Sequence, residues 1–495
     1  MKLINTGHSF HYEMERLTIM FFPGEPVQVD RPVEPGEDWV ETVLTRKEHT
    51  AHILVRGFLR GRSLERSCQV PLTGVAQEEK ELERQMAVLL YHLLEEVTGI
   101  HPAWGILTGI RPIKLFRSLL ESGMTLQQVQ ERFRKDLLVS ESRVALATQT
   151  ERNESKILNL SVPKSYSLYV SIPFCPSRCR YCSFVSHSIE KAKKLMPEYV
   201  EKLCQELWET SRIVNDLGLK LETVYFGGGT PTTLNEEQLK RVTDELARAF
   251  DLRDLREYTI EAGRPDTLNR EKFRIMKQAG VTRISINPQT LNDQVLQAIG
   301  RRHTAQETID SFHMARQEGM DNINMDLIAG LPTDTLESFQ RTMEGVLALD
   351  PENVTVHTLS VKRSSHMGQE GVKAYETMCL VDDMVDYAQR RLGEQGYEPY
   401  YLYRQKNTMD NLENTGFCKP GYPGYYNVYI MDETHSILSV GAGGVTKLRD
   451  PVTDEIQRIF NYKYPYEYIS RYDQILERKR QVKTFYEQHE ASFRT

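Results

Sequence analysis

The sequence predicts an α/β protein: a partial, open (β/α)6 barrel with an N-terminal α+β domain and a C-terminal α+β extension. Three observations predict it. Buried-looking β runs alternate with long amphipathic patterns from Ser167 to Thr358, which requires parallel strands joined by right-handed helical crossovers. Six such runs occur, too few to close an eight-stranded barrel. The texture changes on both sides, with short turn-punctuated runs before about residue 75 and an irregular, aromatic-rich stretch after about residue 360. The expected divisions are 1–160, 161–360 and 361–495.

In the first division Arg16–Phe22, Trp39–Leu44 and His52–Gly57 read as β runs, separated by turns at Pro23-Gly24 and Pro32–Gly36. From Gln77 to Val97 the period becomes helical, with Leu82, Met86, Leu89, Leu90 and Leu93 on one side and Gly99 as the stop. Gly105–Lys114 mixes glycines with Arg111 and Lys114 ahead of a helical connector; it reads as an anion-binding turn or as a loop that packs two domains. Barrel strands are expected at Ser167–Ile172, Thr223–Phe226, Tyr258–Ala262, Arg283–Asn287, Asn322–Ile328 and Asn353–Thr358. Helices are expected at Pro197–Leu217, Glu236–Phe250, Arg270–Gly280 and Ala305–Gly319. In the last division 369–395 reads as a helix and Gln405 to Tyr426 as a loop. Tyr426–Ile430 and Ser436–Val440 read as a hairpin leading into Gly441-Ala-Gly-Gly444, and Tyr464–Glu490 as a charged helix.

Composition narrows the class. The net charge of −7 carries no basic bias, so neither nucleic acid nor an anionic membrane is an expected partner. No apolar run reaches the roughly 18 residues that a membrane span needs, and Met1–His8 lacks the apolar core of a signal peptide. The seven cysteines, Cys68, Cys175, Cys179, Cys182, Cys204, Cys379 and Cys418, are odd in number and scattered. That is no disulfide framework and fits a reducing cytoplasm, the expected location.

The chemistry concentrates in Tyr169-Val-Ser-Ile-Pro-Phe-Cys-Pro-Ser-Arg-Cys-Arg-Tyr-Cys182, where Cys175, Cys179 and Cys182 follow a C-x3-C-x2-C spacing on a loop after a strand. Three thiolates on a metal centre leave one coordination position open, as on the free iron of a [4Fe–4S] cluster. A zinc site completed by His187 and three ordinary core cysteines are the other readings. After the second strand comes Gly227-Gly-Gly-Thr-Pro-Thr232, where backbone is able to approach a ligand closely. Polar side chains then stand at three successive strand ends: Glu261, Gln289 and Asp326, with Arg301 available as a cation. Arg302 and His303 read as solvent-facing.

The C-x3-C-x2-C spacing followed by Gly-Gly-Gly-Thr-Pro resembles the radical SAM superfamily. The Tyr169–Cys175 run, Arg283-Ile-Ser-Ile-Asn-Pro-Gln289 and Asp326-Leu-Ile-Ala-Gly-Leu-Pro332 narrow the resemblance to the oxygen-independent coproporphyrinogen III oxidase-like family. The N-terminal extension and Tyr401-Leu-Tyr-Arg-Gln-Lys406 are most similar to its HemZ-type branch. The resemblance implies that Cys175, Cys179 and Cys182 ligate a [4Fe–4S] cluster, and that Tyr169 and Tyr181 flank the cluster and S-adenosyl-L-methionine (SAM). It implies SAM contacts from Gly228, Gly229, Thr230, Glu261, Gln289, Arg301 and Asp326. It names no catalytic side chain.

The implied activity is oxidative decarboxylation of coproporphyrinogen III propionates to vinyl groups in anaerobic porphyrin and haem biosynthesis, with a low-potential electron donor. Two departures stand out. Ser183-Phe184 replaces the Gly-Cys of the oxidases, and Ser171 replaces a His. A Cys-x-Phe ending is shared with haem-chaperone relatives, which makes a haem-binding or haem-transfer protein the alternative. Tyr425–Ile430, the nearest stretch to their haem motif, lacks its His and Trp.

Overall fold

The computed structural model describes residues 1–72, 74, 77–184, 187–370, 378–405, 408 and 411–493. The expected helix over 369–395 is present as Met378–Glu394; its residues 371–377, and Lys406 of the Tyr401–Lys406 segment, lie outside the described residues. The chain divides into two compact units. One is Met1–Glu151 with Lys373–Asp382 and Tyr403–Glu413; the other is Arg152–Val372 with Asp383–Leu402 and Asn414–Thr495.

The first unit is a five-stranded sheet in the order Gln28–Val29, Lys2–Thr6, Trp39–Arg46, Thr50–Leu59, Arg62–Pro71. Trp39–Arg46 alternates buried and half-buried residues, as a strand with one covered face must. The helices His11–Phe21 and Glu78–Thr98 pack against each other beside it. Arg16–Phe22 is therefore helix rather than strand. Met14, Leu17, Thr18 and Phe21 are the buried residues, a helical stripe that the run of β-branched and aromatic types concealed. In this unit Arg143 Nε meets Glu413 Oε1 at 2.9 Å with both side chains fully buried, and Trp104 Nε1 donates to Glu413 Oε2 at 2.7 Å. Arg404 donates to the carbonyls of Leu107 (2.7 Å) and Gly109 (3.1 Å). The Gly105–Lys114 run thus turns carbonyls toward a cation, which is packing rather than anion binding.

In the second unit six strands lie parallel in chain order: β1 (Ser165–Ile172), β2 (Lys220–Gly228), β3 (Glu257–Glu261), β4 (Arg283–Ser285), β5 (Ile323–Ala329) and β6 (Asn353–Thr358). The sheet continues past them. With β7 (Glu398–Arg404), β8 (Glu413–Cys418), β9 (Ser436–Val440), β10 (Val445–Arg449) and β11 (Ile456–Phe460), its order is β7-β8-β6-β5-β4-β3-β2-β1-β9-β10-β11. It is open at both edges. Residues of one parity, Leu168, Val170, Val224, Ile260, Met325 and Val354, are buried and apolar. The other parity is polar and hydrogen-bonded within itself: Thr223 Oγ1 to Ser167 Oγ (2.6 Å), Asn324 Nδ2 to Ser285 Oγ (3.2 Å) and Thr355 Oγ1 to Asn324 Oδ1 (3.0 Å). A polar barrel interior signals a ligand site rather than a filled core.

Two C-terminal features differ from expectation. Tyr425–Asp432 is a helix, and β9 pairs parallel with β1 and antiparallel with β10, so the hairpin turns through Gly441–Gly444 instead. Glu257, fully buried, accepts the amides of Tyr425 (2.7 Å) and Tyr426 (3.4 Å); a carboxylate at these free N–H groups favours a helix start over a strand. The helix Met196–Leu217 supplies buried Glu206, which pairs with Lys479 at 3.1 Å. Glu206 also accepts from Gly441 N (2.8 Å) and Tyr468 OH (2.6 Å). Ser171 Oγ then donates to Ala442 O at 2.7 Å. The C-terminal segment in this way braces β1.

Candidate metal and cofactor centre

The three-cysteine loop leaves the end of β1. Phe174–Cys175 and His187–Ser188 form a short parallel bridge, so the loop returns to its own base. It is tied to the 299–300 turn by Arg180 N to Ile299 O (3.0 Å) and Ser177 Oγ to Gly300 O (3.1 Å). Cys179 is buried; Cys175 and Cys182 are half-buried. Thr230 Oγ1 lies 3.6 Å from Cys175 Sγ, and Arg264 Nη1 lies 3.8 Å from Cys179 Sγ. Donors aimed at sulfur favour thiolates over thiols. Burial pushes the Cys182 thiol up to about 11; bound metal supplies the positive charge that such a thiolate needs. Among the described residues no group of three or more His, Cys, Asp or Glu side chains is drawn together as for a single metal ion. Three thiols set apart by C-x3-C-x2-C spacing suit the separated corners of an iron–sulfur cluster.

The glycine turn is built for close approach to this loop. Gly228 has φ +106°, and a Cβ on Gly229 would stand 2.5 Å from Phe174 O and 2.9 Å from Ile172 O. The amides of Gly229 and Thr230 donate to Ile172 O (2.8 Å) and Phe174 O (2.7 Å). These two amides therefore hold the cysteine loop.

Tyr181 links the loop to the strand ends. Its hydroxyl donates to Gln289 Oε1 at 3.3 Å and accepts from Arg301 Nη2 at 3.5 Å. Gln289 has φ +65°, a left-handed conformation that costs a non-glycine residue free energy. Its backbone is held by Gln289 N to Asp326 O (2.9 Å) and Ile328 N to Gln289 O (3.1 Å). Arg301 Nη1 donates to Asn287 O at 2.6 Å. Arg301 Nε and Asn287 Oδ1 are buried without a partner. Orphaned polar atoms at a strand end fit a polar ligand and are costly without one.

Glu261 and Asp326 occupy the same interior with opposite protonation tendencies. Burial, with the nearby Asp326 charge, pushes the Glu261 carboxyl up to about 7 despite a 2.6 Å hydrogen bond from Tyr225. Burial pushes Asp326 up too, but His357, 3.8 Å away, and Asn324 outweigh it and the net shift is downward. Tyr169 stacks at 6.1 Å on both Tyr225 and Tyr426, which lie 4.3 Å from each other. Of the twelve expected site residues, Cys175, Cys179, Tyr181 and Cys182 lie on the cysteine loop, Gly228, Gly229 and Thr230 on the glycine turn, Glu261 at the end of β3 and Gln289 beyond the end of β4. Tyr169 and Asp326 stand within β1 and β5 rather than at a strand end, and Arg301 follows the helix Asp293–Ala298. His303 is buried, with both ring nitrogens unpartnered and its pKa lowered to about 4 by burial, not solvent-facing. Tyr225, Arg264, His357 and Tyr426 were not foreseen. Tyr225 and His357 share the strand parity of Thr223 and Thr355, a signal that could have found them; no sequence pattern marked Arg264 or Tyr426.

Residues 169–346 match the radical SAM superfamily. The chain is 36% identical to the oxygen-independent coproporphyrinogen-III oxidase-like protein HemZ of Bacillus subtilis, over 90% of each chain. It belongs to the radical SAM proteins, in the HemZ-type branch of the oxygen-independent coproporphyrinogen III oxidase-like family. This radical SAM chain is also 33% identical to the heme chaperone HemW of Bacillus subtilis, over 61% of this chain and 77% of that one. Its fold matches coproporphyrinogen III oxidase HemN from Escherichia coli with a TM-score of 0.50 at 23% identity, over 64% of this chain and 71% of that one. Membership of the superfamily implies a [4Fe–4S] cluster and SAM. No helix of the described residues is long and apolar enough to cross a membrane.

Proposed function

We propose that the protein is a radical SAM enzyme of porphyrin metabolism that oxidatively decarboxylates coproporphyrinogen III propionates to vinyl groups. The observation that carries the proposal is the convergence of the cysteine loop, the glycine turn and the polar ends of β3 to β5 at one mouth of the barrel. The Bacillus subtilis HemZ relative supports the tetrapyrrole substrate. Cys175, Cys179 and Cys182 hold the cluster, with Thr230 and Arg264 donating to two of the sulfurs. Arg301 has an unused Nε beside the loop and takes the SAM carboxylate. Gln289, Glu261 and Asp326 take its ammonium and ribose hydroxyls, with Gly228, Gly229 and Thr230 lining the methionine end, and Tyr169 and Tyr181 shape the walls. Cluster and SAM together supply a one-electron reductive cleavage that yields a 5′-deoxyadenosyl radical able to abstract hydrogen. The protein's part is to orient, to exclude water and to hold charge at fixed sites. A low-potential donor protein in the cytoplasm supplies the electron for SAM cleavage, and a one-electron acceptor takes up the electron released as each propionate, having lost a hydrogen atom, loses CO2 to leave a vinyl group. On this reading the working divisions of the chain are 1–160, 161–360 and 361–495.

The test is anaerobic turnover of reconstituted protein with SAM, reductant and coproporphyrinogen III, followed by mass spectrometry. Substrate-dependent 5′-deoxyadenosine with loss of two CO2 supports the enzyme. A second reading, haem binding or transfer, is favoured by the HemW relative and by Phe184, which is 66% exposed beside the loop. Slow substrate-independent SAM cleavage with stoichiometric haem binding supports that reading and overturns the first.

A further inference from the structure

Arg264 follows β3 and is 3% exposed. Its backbone is clamped: Thr267 N (3.0 Å) and Thr267 Oγ1 (2.7 Å) both donate to Arg264 O. The buried ammonium of Lys272 donates to the carbonyls of Thr267 (2.8 Å) and Thr232 (2.7 Å), tying this turn to the glycine turn. From that base the guanidinium reaches the cysteine loop 85 positions earlier. Nη2 donates to Ser177 Oγ at 3.1 Å, and Nη1 lies 3.4 Å from Ser177 O and 3.8 Å from Cys179 Sγ. Its counter-ion Asp266 binds Nε and Nη2, each at 3.1 Å, from a side chain that is 27% exposed.

We propose that Arg264 is a positioning residue that sets the redox potential of a cluster bound at Cys175, Cys179 and Cys182. The inference rests on the cluster reading above. A guanidinium donor on a thiolate withdraws electron density from the sulfur. The reduced cluster carries one more negative charge than the oxidised one, so the donor stabilises the reduced form more and raises the potential. The low-dielectric setting magnifies this difference. Asp266 opposes it: the carboxylate neutralises part of the guanidinium charge, and its partial exposure leaves it replaceable without opening the core. A purely structural Arg264 would alter loop order and cluster loading but leave the potential of loaded protein unchanged.

The experiment uses full-length protein reconstituted anaerobically with iron and sulfide. Midpoint potentials are read by EPR-monitored redox titration for the wild type, Arg264→Gln, Arg264→Lys and Asp266→Asn, each normalised to iron and sulfide content. Arg264→Gln shifts the potential negative, Arg264→Lys falls between it and wild type, and Asp266→Asn shifts it positive. Equal potentials at equal loading, or shifts of one sign in both Arg264→Gln and Asp266→Asn, overturn the inference. If Arg264→Gln does not load, Asp266→Asn decides, and an unchanged potential there is a refutation. A wild type that takes up no iron or sulfide removes the cluster reading and this inference with it, an outcome distinct from loaded protein with coincident potentials.

Discussion

Glu261 should make the apoprotein less stable than it needs to be, and Glu261→Gln should reveal by how much. Its carboxyl is raised from 4.5 to about 7, chiefly by burial. The folded site therefore prefers the protonated acid, and stability is lost as pH rises from the unfolded value toward the folded one. A shift of about 2.5 units at about 1.36 kcal/mol each puts the full penalty near 3.4 kcal/mol above pH 8. The same linkage leaves about 2 kcal/mol at pH 6 and under about 1 kcal/mol at pH 5. Glutamine keeps the shape and still accepts the Tyr225 hydroxyl, so it removes the charge without opening a cavity. The assay is urea unfolding of apo wild type and Glu261→Gln at pH 5, 6, 7 and 8, comparing midpoints at constant m. The variant should gain under about 1 kcal/mol at pH 5 and about 3 kcal/mol at pH 8. A pH-independent difference, or a variant no more stable than wild type at pH 8, would refute the reasoning. The same variant should bind SAM more weakly, the usual exchange of stability for function.

Other outcomes follow from the same geometry. Cys179→Ala should abolish the iron and acid-labile sulfide that reconstituted wild type carries, measured by metal and sulfide analysis. Gly229→Ala places a methyl group 2.5 Å from Phe174 O, a rigid backbone atom, so the cysteine loop must move; cluster content should fall while far-UV circular dichroism is retained. Glu413→Gln removes one of two carboxylate partners of the buried Arg143, Asp382 Oδ1 remaining 2.8 Å from Nη2; losing that charged contact should cost about 1.5–3 kcal/mol by urea unfolding. Tyr225→Phe deletes the donor to Glu261; a lost hydrogen bond to a charged group is worth about 1.5–3 kcal/mol, so the pH dependence of wild type should move upward by about one to two units.

The parallel core was legible because buried-looking β runs alternate with long amphipathic helical patterns, and the first strand carries both faces openly. Ser165-Tyr-Ser-Leu-Tyr-Val-Ser-Ile172 writes a polar face and an apolar face in period two, and the motif residues fall at the strand ends where such sheets bind ligands. Arg16–Phe22 was misread because residue types that favour strands here sit at helical spacing. Tyr425–Asp432 was misread because its helix begins on the carboxylate of Glu257, 168 positions away. The glycine turn was recognised, yet its reason was not: the Gly229 position is crowded by the cysteine loop's own carbonyls. Arg264 illustrates the same limit. Its reach to Cys179 is a property of two turns tied together by Lys272, and no local pattern encodes that.

The strand that carries the cysteine loop is finished by the far end of the chain. Ser171 and Ala442, bonded to each other, are 271 positions apart, and β9 pairs with β1 from Tyr166 to Val170. During synthesis the cysteines emerge long before that partner exists, so β1 waits as a bare sheet edge with its hydrogen-bonding groups unspent. Iron delivered at that stage meets a loop whose supporting strand is still unanchored. The edge of β1 is therefore covered only once the chain has been made through β9, and a chain that stops short of β9 leaves that edge bare beside three cysteines.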